Sequence, residues 1–238
     1  MEDKKTRILM VVSNPTTSTT TGWPAGFWAA ELTHAYKLFI EKGYDVTIAS
    51  PKGGKVEVDS LSDPRDPSGY SKEDVISLQF LQDQKFNTLL KHTKKVSDLA
   101  ANNFDAIVVV GGQGPMFTFK TETDLQDTFL EFFNKGKISA ALCHGTSLLL
   151  YLKNKDDKPI IQGKKMTGFT NEEEDFADSV VGKKVMPFRI EDEARKLGAD
   201  FKKANAFEAF AIRDGNLITG QQQNSGTEVA KLVINALG

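Results

Sequence analysis

Ile138-Ser139-Ala140-Ala141-Leu142-Cys143-His144-Gly145 reads as a strand of apolar and small residues that runs straight into a glycine opening a helix through Leu150 and Lys153. A sharp turn from a buried strand into a helix lifts the turn residue's side chain out of the sheet and leaves helix-start N–H groups free beside it, the geometry of a nucleophile elbow. So tight a bend needs small neighbours, and Ala141 and Gly145 stand two residues either side of Cys143. Cys143 is the only cysteine, so no intrachain disulfide is possible and the thiol is either an apolar filler or a reactive group. A helix start favours the thiolate, which predicts a thiol pKa below the free value of about 8.5. His144 follows directly and offers a proton carrier or a charge partner, although adjacent side chains often diverge and a hydrogen-bonded core histidine is the alternative.

Working outward, short β-branched runs alternate with helical patterns, the signature of strand-helix-strand units around a mainly parallel sheet. Ile8 to Val12 is the first strand, and Phe27 to Glu41 repeats apolar residues at helical spacing (Trp28, Leu32, Ala35, Phe39) until Lys42-Gly43 stops it. Asp45 to Ala49 is the second strand. Ser50 to Ser71, with Gly53-Gly54, Pro64 and Pro67, is a long excursion rather than a core element, and Glu73 to Leu99 reads as helical pieces. Ala106 to Val110 is a buried strand ending on Gly111-Gly112-Gln113-Gly114-Pro115. Asp124 to Asn134 is a helix whose Phe129, Phe132 and Phe133 stripe reads as core packing. Gly163 to Thr167 is a candidate strand, followed by the acidic run Asn171 to Asp175. Ile190 to Leu197 is helical with Gly198 as its stop, Asp214-Gly215 is a hairpin turn, and Gly226 to Leu237 closes the chain as an amphipathic helix.

At 238 residues the chain fits one α/β domain, 1–238, with a cap-like excursion from about 50 to 99. Charged residues make up 26% and apolar ones 39%, an ordinary globular balance, and the net charge of -2 argues against a nucleic-acid or anionic-membrane surface. Apolar runs such as Ile107 to Val110 are strand-length, far short of the roughly 20 residues that span a bilayer. Met1-Glu2-Asp3-Lys4-Lys5 leads into the first strand without the pattern of a signal peptide, so a cytoplasmic location is expected.

Glu31 shares a helix face with Phe27, Ala35 and Leu38 and is therefore drawn toward the sheet, where burial raises a carboxyl pKa and suits it to shuttle protons. The alternative is a first-turn acid that answers the helix dipole. The glycines from Gly111 to Gly114 leave amides available for an oxyanion, without the spacing or lysine of a phosphate cradle. His34 and His92 lie in helical segments without visible partners, and no group of His, Cys, Asp and Glu has metal-ligand spacing.

Five pieces in order resemble the ThiJ/PfpI superfamily, in its heat-shock-chaperone and glutathione-independent glyoxalase (glyoxalase III) branch, over nearly the whole chain. They are Gly26-Phe27 before Glu31, Gly111-Gly112 with Gly114, Ala141-Leu142-Cys143-His144-Gly145, Lys165-Met166-Thr167-Gly168-Phe169-Thr170, and Asp214-Gly215-Asn216-Leu217-Ile218-Thr219-Gly220. The resemblance implies Cys143 as nucleophile, His144 as its partner and Glu31 as the carboxylate against the sulfur. Glu174, four residues after Thr170, is implied as the third acid, with Glu172 and Glu173 crowding the same stretch. Backbone amides of Gly112 and His144 are implied as the oxyanion hole. The chain departs from the family's pattern at Gln113, where histidine is common, and at Asn205-Ala206-Phe207-Glu208, where an aromatic-rich pocket segment is common.

The expected fold is a flavodoxin-like (class I glutamine amidotransferase-like) three-layer sandwich with a mainly parallel sheet. The expected activity is conversion of methylglyoxal or a related 2-oxoaldehyde to a hydroxy acid by a homodimer, with no metal and no cofactor. A holding chaperone and a cysteine peptidase or amidase are the alternatives within the same superfamily.

Overall fold

A computed structural model describes residues 5–238. Met1 to Lys4, on which the reading of the N-terminus rests, lie outside the described residues. Apolar alternation explains the central layer. Ile8, Met10 and Val12 face one side of the strand Arg7–Val11 and its extension, Leu9 and Val11 the other, and all five are fully buried. A strand buried on both faces is what a parallel sheet covered by helices requires. Seven strands form that sheet in the order 211–214, 217–220, 138–142, 106–109, 7–11, 45–50, 94–95. Every neighbouring pair is parallel except the hairpin of 211–214 with 217–220.

Helices Ala29–Glu41 and Gly226–Leu237 cover one face with Leu32, Ala35, Phe39, Val229, Ala230 and Val233. Thr123–Asn134 and Ile190–Lys196 cover the other with Leu125, Phe129, Phe132, Ile190 and Ala194. The result is the flavodoxin-like α/β sandwich. Burying each Leu or Phe contributes about 1.5–3 kcal/mol, so Leu32 and Phe39 anchor their helix firmly enough to carry the buried Glu31 on the same element. The partly buried Trp28 precedes the helix and lines a cavity instead of packing in the core.

Four expectations shift. The excursion is less peripheral than a cap: Val56, Leu81, Phe86 and Leu90 join the core, and Lys94–Lys95 pairs with Ala49 and Ser50 as the sheet's edge strand. The helix expected from Gly145 through Lys153 is a 3-10 helix, Cys143–Tyr151, that stops short of Lys153. Asp214 pairs with Leu217, so the hairpin loop is Gly215-Asn216, one residue later than Asp214-Gly215. The acidic run is the start of a helix, Asn171–Val181. Its signal was in the chain: Thr170 and Glu173 form a capping box, each side chain meeting the other residue's backbone N–H. Among the described residues no helix is long and apolar enough to cross a membrane.

Candidate active site

The strands 7–11, 106–109 and 138–142 end level with one another, Val11 beside Val109 and Val109 beside Ala141. Sheets of this kind bind ligands outside the carboxyl ends of their strands, where the strand order reverses. Immediately beyond, Cys143 takes a φ of 54°, in the left-handed region that costs a non-glycine residue about 1–3 kcal/mol. The Thr146 hydroxyl donates to the Cys143 carbonyl at 2.7 Å and closes the turn. Gly145 is obligatory here, because a Cβ on it would stand 2.8 Å from the Val110 carbonyl oxygen. Gly112 carries the matching constraint in the facing loop: its φ is 101° and a Cβ would stand 2.4 Å from the Trp28 nitrogen.

This close approach aims the backbone N–H groups of Gly112 and His144 at the Cys143 sulfur. They are the two amides named from the resemblance. Asp59, which the sequence reading did not single out, secures the loop. One of its carboxyl oxygens accepts from the Gly26 N–H at 2.8 Å and the other from the Gln113 N–H at 2.6 Å. Asp59 is buried, and burial pushes its carboxyl above the usual range against the pull of those two donors.

Glu31 is fully buried and reaches across from the first turn of its helix. Its Oε2 accepts from the Gly111 N–H at 2.7 Å, while Oε1 has no conventional partner and the carboxyl's remaining interaction is with the Cys143 thiol. A residue serving only the helix dipole would sit in water; this one is desolvated, and burial lifts its pKa to about 8 despite the two donors. The expectation of a lowered Cys143 pKa is reversed. Only 2% of Cys143 is exposed, and burial first, then the Glu31 charge, push the thiol up, outweighing the two amides. Iodoacetamide alkylation is therefore expected to have a pH midpoint above that of a free cysteine, about 8.5, and Glu31→Gln to lower it. A midpoint below the free value would restore the thiolate reading.

His144 Nε2 lies 3.0 Å from Glu174 Oε1, and the ring centroid lies 4.3 Å from that of Phe169. The three crowded glutamates separate cleanly. Glu172 is exposed, Glu174 meets His144, and Glu173 accepts from Thr170, from the Phe207 N–H at 2.9 Å and from Gln221 Nε2 at 2.8 Å. Cys143, His144 and Glu174 thus line one cavity, walled by Trp28, Phe169, Phe176, Met186 and Phe207, while Glu31 and the Gly112 amide meet the same sulfur without lining the cavity. His34 lies elsewhere, paired with Asp74 at 2.8 Å.

Known proteins share this architecture along the full chain. Glyoxalase 3 of Candida albicans is 31% identical over 232 residues, covering 96% of this chain and 97% of that protein. The crystal structure of glyoxalase III from the same organism superposes with a TM-score of 0.82 at 29% identity, covering 97% of each chain. Rapid Encystment Protein 24 kDa of Francisella tularensis superposes with a TM-score of 0.87 at 29% identity, covering 98% of this chain and 99% of that one. Residues 24–236, a span that includes the elbow and the glycine loop, match the DJ-1/PfpI family model, and the chain belongs to the DJ-1/PfpI family.

Proposed function

We propose that the chain converts a 2-oxoaldehyde of the methylglyoxal type to the 2-hydroxy acid without glutathione, through a hemithioacetal on Cys143. One observation supports this most directly: a sulfur and a buried carboxyl that titrates near pH 8 interact, and two N–H donors converge on the same sulfur. The names of the Candida albicans relatives point the same way.

In the singly protonated pair, sulfur adds to the aldehyde carbon and the C=O electrons move to oxygen, held by the Gly112 and His144 amides. The thiol proton reaches that oxygen through Glu31. The Glu31 carboxylate then removes the hydrogen on the same carbon as a proton, the released pair forms a carbon–carbon double bond, and the ketone oxygen becomes an enediolate. The first hydroxyl passes its proton to the second oxygen by way of His144, its carbonyl re-forms as a thioester, and Glu31 returns its proton to the second carbon. One carbon is oxidised and its neighbour reduced, so no external electron acceptor is consumed. Water, losing a proton to His144 braced by Glu174, attacks the thioester; that proton returns to the departing sulfur and the hydroxy acid leaves.

The same reading takes the chain as one domain over 1–238, its 50–99 excursion lending Leu61 and Tyr70 to the cavity. It also takes the protein as a homodimer, and as cytoplasmic, where a reducing compartment keeps a lone thiol free. Purified protein given methylglyoxal alone is expected to form lactate in step with the methylglyoxal lost. Loss without lactate would mean mere trapping by the thiol and would end the proposal.

A further inference from the structure

We infer that this site prefers 2-oxoaldehydes carrying a bulky apolar substituent to methylglyoxal itself, with Phe176 and Val180 among the side chains that select them; this rests on the function proposed above. The cavity over Cys143 holds about 120 Å3, on a scale where about 10–15 Å3 admits one water. A methyl group leaves most of that space unfilled.

The walls are apolar and already packed against one another. Phe176 meets Phe207 edge-on at 5.2 Å, Trp28 meets Tyr70 edge-on at 6.0 Å, and Phe169 lies on the His144 ring. Phe207 has a φ of 61°, and both sides of its peptide are held there: its N–H by Glu173, and its carbonyl by Asn224 Nδ2 at 2.9 Å. Such a wall is built in place before any ligand arrives. Both acids lining the cavity are committed, Glu174 to His144 and Glu173 to four donors on Thr170, Phe207 and Gln221. Gln113 Oε1 remains as a buried acceptor without a partner, suited to a hydroxyl formed on the substrate.

The cavity also continues outward. Trp23, Tyr70, Phe176 and Val180 line it while remaining 42%, 54%, 51% and 70% exposed. Large apolar side chains left in water around a cleft mark a contact surface, and this one is continuous with the reactive sulfur. This apolar channel is open to a substituent on the reacting carbons.

Isobutylglyoxal and methylglyoxal serve as the probes, with kcat/KM measured for each on the wild type and on Phe176→Ala and Val180→Ser. Both positions are at least half exposed, so both variants should fold. The wild type is expected to favour isobutylglyoxal by about 10-fold or more, the scale on which an apolar pocket reads added methylenes, and each variant to shrink that ratio. Cys143-dependent turnover of methylglyoxal with a ratio at or below one overturns the inference and leaves the proposed function standing. Turnover of neither aldehyde overturns the function, and the inference with it. A change of mass by light scattering in the variants, with the ratio unaltered, would assign the channel mouth to a second copy of the chain and likewise overturn the inference.

Discussion

Cys143→Ser is expected to lower 2-oxoaldehyde turnover by roughly 1000-fold or more, the order of loss when a covalent nucleophile is removed, while the thermal midpoint moves by only a few degrees. The two halves of this expectation have different origins. An alcohol is a far weaker nucleophile than a thiol, and the Glu31 carboxyl cannot ionise it at neutral pH. The small stability change does not come from exposure, since only 2% of Cys143 is exposed. It comes from the partners: a hydroxyl placed there meets the Gly112 and His144 amides and the Glu31 carboxyl that now face sulfur, so no polar group is left unpaired. Steady-state rates and a melting curve on the same preparation check both. Turnover near the wild-type level would move the chemistry away from the elbow and favour a holding role for the exposed apolar mouth.

Glu31→Gln is expected to reduce turnover by about 100-fold or more, and, unlike most active-site changes, to stabilise the protein at alkaline pH. The folded pKa of about 8 lies above the ordinary carboxyl value of 4.5 because burial disfavours the charge. A group shifted upward adds relative stability that is complete below its unfolded pKa and is lost as pH rises through its folded pKa. The window therefore runs from about pH 4.5 to about pH 8. Across it the wild type forfeits on the order of 5 kcal/mol, at about 1.4 kcal/mol per pKa unit. Glutamine bears no charge at any pH in that range and its amide oxygen can still accept from Gly111. Urea unfolding at pH 5 and pH 8.5 is the measurement: the two proteins should be nearly level at the lower pH and the variant clearly more stable at the higher. For the same reason wild-type kcat/KM should climb as pH rises toward about 8, where the pair loses its first proton. A variant that is fully active, or less stable at both pH values, would show Glu31 to be a structural acid and remove the proton shuttle.

Sequence by itself determined the α/β class, the parallel core strands, the elbow at Cys143 and the glycine loop facing it. These are legible because period-two burial, helix stops and the need for small residues at a bend are local properties of the chain. Glu31 could be flagged only as one of two things, because a first-turn acid and a buried catalytic acid share the same local pattern. Tertiary structure took it out of water, carrying Glu31 across to Gly111, 80 residues away. The same is true of Glu172, Glu173 and Glu174, three identical side chains whose partners depend on how one helix is rotated against His144, Phe207 and Gln221. Asp59 gave no sign at all, since its role exists only where the excursion passes beneath Gly26 and Gln113. The Cys143 pKa was read in the wrong direction for the same physical reason. A helix start is visible in sequence, whereas desolvation and a facing carboxyl are sums over everything packed around the sulfur, and here the sum outweighs the local term.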